Sequence, residues 1–82
     1  MIDFLNTIEI AILRFAAREG EVKVSSRRHI GRAPEDAASM RRYLDSLASR
    51  GYLCPMKVGQ VWKYYLTATG TDALQELAEV GQ

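Results

Sequence analysis

Apolar residues in this chain keep one spacing up to Gly51 and another after it, and that change of period constrains the fold more than any other feature. Before the glycine, Ile8, Ala11, Ile12, Phe15 and Ala16 recur at the spacing of one helical face, and Ala37, Met40, Leu44 and Leu47 do so again. After it, the segments from Tyr52 to Lys57 and from Val61 to Leu66 are rich in residues that suit a pleated surface. In the second of these, Trp62, Tyr64 and Leu66 alternate onto one side and Val61, Lys63 and Tyr65 onto the other. Helices that give way to a hairpin describe a mainly helical domain carrying a small two-stranded projection.

The punctuation fixes the element boundaries. Asn6 followed by Glu9 predicts a reciprocal cap for a first helix from about Asn6 to Arg18, and Gly20 supplies its exit. Glu21 to Val24 alternates briefly, enough for a minimal strand. Ser25 or Ser26 can cap a short second helix reaching about Ala33, where Pro34 stops it. Asp36 is placed to cap a third helix through about Ser49. Val58-Gly59-Gln60 forms the hairpin tip, and Pro55, which has no N–H, places an edge at its strand. Thr69-Gly70-Thr71 breaks the second strand and begins a last helix with Leu74, Leu77 and Ala78. With no repeat or linker, residues 1–82 read as one domain of order α-β-α-α-β-β-α.

Charge adds a second constraint. The net charge of +1 conceals a segregated distribution. From Lys23 to Lys63 nine basic residues meet only Glu35, Asp36 and Asp45, a local balance of +6; the flanks balance at −5. Such asymmetry suits an anionic partner on one face and something different on the other. The hydrophobic share of 48% exceeds that of a disordered chain, and no apolar run approaches the ~18 residues that a membrane helix requires. The first residues lack the features of a secretory signal and the single Cys54 can form no internal disulfide, so the expected compartment is a reducing cytoplasm. Cys54 itself reads as a small apolar filler, and Trp62 and Tyr64 as core residues, because they share a strand face with Leu66.

Catalytic chemistry finds no support. The chain has no glycine-rich phosphate loop, no nucleophile–base pair and no paired carboxylates on a helical face. His29 stands without a cysteine or carboxylate at ligand spacing. No enzyme activity, cofactor or metal site is expected.

The element order and several local stretches resemble the winged helix-turn-helix superfamily, particularly small regulators of the MarR and PadR kind. Ile12-Leu13-Arg14-Phe15 with Gly20 is similar to the family's first helix and its exit. Ser39-Met40-Arg41-Arg42-Tyr43-Leu44 through Arg50-Gly51-Tyr52-Leu53 resembles a recognition helix running into the first wing strand, and Tyr64-Tyr65-Leu66-Thr67-Ala68-Thr69-Gly70 resembles the exit from the wing. Aligning Ile30, Ala33, Asp36 and Met40 without insertion puts His29 where a buried leucine is usual and Pro34 where a turn glycine is common. The other register ends the second helix at Ile30-Gly31 and needs about three extra turn residues, so the register without insertion is the expected one.

The resemblance implies double-stranded DNA as partner, with the third helix in the major groove and the wing on the backbone. Arg41 and Arg42 then become groove contacts, since an arginine fork can take two guanine acceptors or clamp a phosphate. Ser39 reaches a phosphate or a base edge. Arg27, Arg28 and Arg32, read as lying on the second helix, contact phosphates, and Lys57 and Lys63 flank the wing tip against the adjacent strand. Ile2, Phe4, Leu5, Ile10 and Leu13, with Leu74, Leu77 and Val80, exceed what a small core can cover and imply a homodimer through the first and last helices. Glu35 and Asp36 before the third helix, and the low net charge, favour the alternative of a winged-helix protein-interaction module within a larger assembly.

Overall fold

Two reciprocal hydrogen bonds decide where the first helix begins. Asn6 Oδ1 accepts from the Glu9 N–H at 2.8 Å, and Glu9 Oε1 accepts from the Asn6 N–H at 2.9 Å. From this cap α1 runs over Thr7–Glu19, and Gly20, at φ 91°, closes it by donating to Ala16 O. The structure, a computed structural model, describes residues 5–80. Ile12, Leu13 and Ala16 form the inner face of α1, as the periodicity predicts.

The expected first strand shrinks to one residue. Val22 bridges Tyr64 in antiparallel fashion, each N–H donating to the other's carbonyl at 2.8 Å. The expected second helix is also shorter and tighter. Val24–His29 forms a 3-10 helix, and Ile30 is already extended at φ −109°, ψ 120°. Its hydrogen bonds span three residues, from Ser26 N–H to Lys23 O and from Ile30 N–H to Arg27 O. Ser26 turns its hydroxyl back to accept from the Lys23 N–H at 3.1 Å, the local competition that makes serine a poor helix-interior residue. Residues 30–36 therefore form a long turn, and the second helix ends before Ile30 instead of reaching Ala33 as expected. His29 is exposed while Ile30 is buried, so the isoleucine fills the apolar site.

Asp36 caps α2, Ala37–Ser49, by accepting from the Ser39 N–H at 2.7 Å. Met40, Leu44 and Leu47 are its fully buried stripe. Gly51, at φ 88°, turns the chain into β1, Leu53–Val58, which pairs antiparallel with β2, Val61–Leu66. The tip is the two-residue turn Gly59-Gln60. Its positive φ at glycine only, 62°, matches the turn whose twist suits a hairpin. Because Tyr64 gives both backbone groups to Val22, its opposite residue on β1, Pro55, lies in a pair that needs no N–H, with its ring nitrogen on the free edge.

The last helix, α3, covers Ala68–Val80 and starts one residue before the expected breaking triplet. Thr67 Oγ1 accepts from the Gly70 N–H at 3.0 Å and shares its one proton between the carbonyls of Gly51, at 2.6 Å, and Tyr52, at 3.0 Å. A Cβ on Gly70 would collide with the Tyr52 carbonyl oxygen and reach 2.6 Å from Leu66 Cδ1, so only glycine lets α3 begin this close to the α2–β1 joint. α1 packs on α3 and β2, while α2 packs on the 3-10 helix and β1. Leu5 and Leu13, expected at a subunit interface, are buried within the protomer's own core, whereas Ile10, Leu74 and Leu77 are only partly covered. Ile2, Phe4 and the Val80 side chain lie outside the described residues.

Candidate nucleic-acid interface

Opposite the buried stripe of α2 lies a solvent-facing ridge of Ala38, Arg42, Asp45 and Ser49, all exposed. Consecutive residues on a helix point about 100° apart, so Arg41 and Arg42 leave this ridge in different directions. Arg42 donates to Ser39 Oγ at 3.3 Å and borders a depression with Ser39, Tyr43, Ser46 and Glu9. Arg41 turns the other way, into a groove of about 400 Å³ between α2, the 3-10 helix and the hairpin. There it meets Lys23, Arg27 and Arg28 from one side and Gln60, Val61 and Trp62 from the other.

The residues anticipated from the sequence thus divide. Arg27, Arg28 and Arg41 share the groove. Arg32 is in the turn rather than on a helix, and lines a separate groove of about 420 Å³ with Arg14, Phe15, Arg18 and His29 against α1. Lys57 is exposed on the hairpin, paired across the strands with Trp62. Lys63 is on the opposite hairpin face and is held by Glu21 at 3.3 Å, which removes much of its charge from a partner. Arg50, part of the basic block, also faces inward: it bonds the mostly buried Glu9 at 2.7 Å and ties α2 to the start of α1.

The groove is braced by polar contacts rather than by apolar packing alone. The Tyr64 hydroxyl donates to Asp45 at 2.6 Å, joining the hairpin to α2, and Arg41 stands 3.8 Å from the same carboxylate. Burial, and then the hydrogen bond to Asp45, push the Tyr64 phenol up to about 12, so it remains a donor at ordinary pH. Asp36 is held below the usual carboxylate range, first by the Ser39 N–H and hydroxyl and then by the charges of Arg42 and Arg27. Arg27 also donates to the Glu35 carbonyl at 2.8 Å, which fixes the turn against the 3-10 helix. Asp36, unlike Glu35, therefore has its carboxylate surrounded by donors.

Two expectations fail on the hairpin. Trp62 is 40% exposed, although Tyr64 on the same face is 2% exposed. The reason is reach: α2 and Val22 cover the base of the hairpin, and its tip extends beyond them. Cys54 is a free, exposed thiol rather than a filler. It shares the outer face with Met56, Val58 and Val61, all substantially exposed. Lys23, Gln60 and Trp62 also belong to the groove, although the sequence reading counts Lys23 only within the basic block, takes Trp62 for core and assigns Gln60 only to the tip. The available signal was the register, which puts Trp62 one pair from the tip.

No protein-family model matches this chain, and no curated protein matches it in sequence. A solved structure of Bordetella bronchiseptica BpsR, a protein whose DNA binding is regulated by 6-hydroxynicotinic acid, superposes on 89% of the chain with a TM-score of 0.77 at 18% identity. The fold is a winged helix. The chain covers 53% of BpsR, about half its length. Within this winged helix, β1 and β2 are the wing, and α2 occupies the place of the helix that the sequence resemblance assigns to recognition. No described helix is long and apolar enough to cross a membrane, and no cluster of metal-ligating side chains occurs among the described residues.

Proposed function

We propose that this chain binds double-stranded DNA as a transcriptional regulator, with the exposed ridge of α2 in the major groove and the wing against the neighbouring backbone. One observation carries the reading: Lys23, Arg27, Arg28 and Arg41, from three successive parts of the fold, converge on one groove beside the ridge that presents Arg42. Cations arranged beside a groove-sized helix suit phosphates flanking the bases that the helix reads. The likeness in fold to BpsR, a protein that binds DNA, supports the same assignment. Ser39 orients the Arg42 guanidinium, which makes Arg42 the base-reading group; Arg27, Arg28, Arg41 and Lys57 are backbone contacts. Arg32 and Lys63 fit a peripheral place, since one lies in another groove and the other is neutralised. The partly covered Ile10, Leu74 and Leu77 on α1 and α3 support a two-fold homodimer there, which sets two copies of α2 about one helical turn apart on DNA. The non-catalytic reading and the cytoplasmic placement follow from this role.

Selection from a randomised duplex pool tests the assignment. Arg42→Ala relaxes the preference at one or two base positions, whereas Lys57→Ala weakens every sequence alike. Equal recovery of all sequences by the parent protein counts against recognition. The exposed apolar outer face of the wing, with Met56, Val58 and Val61, favours a second reading as a protein-interaction module. That reading gains if the protein fails to retain any duplex at low salt.

A further inference from the structure

The groove beside α2 contains apolar residues that phosphate binding alone does not explain, and Trp62 is the largest of them. Trp62 forms its wing-side wall, opposite Arg27, Arg28 and Arg41. No hydrogen bond is made to the indole N–H and no cation covers the ring among the described residues, although two other arginines do stack, Arg18 over Phe15 at 5.3 Å and Arg50 over Tyr52 at 5.5 Å. A large aromatic side chain left 40% exposed, in a cleft that sets Lys23, Arg27, Arg28 and Arg41 among the apolar Val24 and Ala37, is matched to a ligand with alternating anionic and apolar surface. A sugar–phosphate strand has that alternation.

We infer that this groove is the seat of one backbone strand of the duplex, with Trp62 packing its ring on a deoxyribose and donating its N–H to the adjoining phosphate. The inference rests on the DNA-binding reading and adds to it an apolar contact residue. Lys23, Arg27, Arg28 and Arg41 take the phosphates on the far wall, Gln60 at the turn contributes an amide, and Lys57, the cross-strand neighbour of Trp62, stands beside it on the wing. The strand that separates the major groove, where α2 lies, from the minor groove is the one that has to pass between α2 and the wing.

Trp62 is the only tryptophan in the chain, so its fluorescence reports on this groove alone. Titration of the parent protein with an unlabelled mixed-sequence duplex is expected to change the intensity and wavelength of its emission, in parallel with binding followed by the anisotropy of a labelled duplex. Trp62→Ala is expected to weaken binding about tenfold, the scale of one lost hydrogen bond to a charged group, with the salt dependence unchanged because no charge is removed. Trp62→Phe, which keeps a ring but not the N–H, restores only part of the loss. By contrast, Arg28→Ala weakens binding and lowers the salt slope by about one. If the anisotropy reports binding while the emission stays fixed and Trp62→Ala binds like the parent, the seat is wrong and the DNA-binding reading stands. If no duplex binds at low salt, both are overturned.

Discussion

The base and the tip of the hairpin are built from the same alternating pattern and meet opposite fates. At the base, Tyr64 is enclosed: its backbone pairs with Val22 and its hydroxyl with Asp45 on α2. Two residues away on the same face, Trp62 stands open above a cationic groove. The base is scaffold, locked by contacts from three elements, and the tip is surface available to a partner. The difference teaches that alternation specifies which face a side chain occupies, while coverage depends on how far the neighbouring helix extends along the strand.

Substitutions sharpen or break this contrast. Tyr64→Ala has the largest expected effect, about 3–5 kcal/mol of stability, read by urea denaturation, and in a small domain this removes much of the folded population. Gly70→Ala comes next at roughly 1–3 kcal/mol, because the new methyl meets the Tyr52 carbonyl and Leu66 at the base of the wing; an unchanged midpoint would show that α3 can shift. Tyr64→Phe keeps the ring and loses the bond to Asp45, at about 1.5 kcal/mol, since the exposed carboxylate rehydrates. The same hydroxyl adds a pH signature. With its folded value raised from 10 to about 12, its contribution is complete below pH 10 and is lost as pH rises through that interval. Alkaline denaturation of the parent and of Tyr64→Phe should therefore converge. Trp62→Ala has the smallest expected effect on stability, within about 0.5 kcal/mol; a loss comparable to Tyr64→Ala would erase the distinction between tip and base.

Local rules made most of the fold legible. The Asn6–Glu9 box, the Asp36 cap, the turns at Gly20 and Gly51 and the Gly59 tip depend on neighbours in sequence, and each appears where its residues indicate. The 3-10 helix was not legible, because Val24, Ser25 and Ser26 fit a capped helix start as well as a tight turn, and the Ser26–Lys23 bond decides between them. The site was legible as a charged block and not as a surface. Sequence counts Arg50 and Lys63 as available cations, but their partners Glu9 and Glu21 lie 41 and 42 positions earlier. Arg41 and Arg42 look equivalent in sequence, and the helical turn sends them into different neighbourhoods.

The central claim is that the cations around the α2 groove bind the backbone of duplex DNA, and the salt dependence of duplex affinity tests it most directly. If Lys23, Arg27, Arg28, Arg41 and Lys57 each neutralise one phosphate, the logarithm of the binding constant falls against the logarithm of salt concentration with a slope of roughly −4 to −5 per protomer. A slope near zero, or no binding at the lowest salt, contradicts the account.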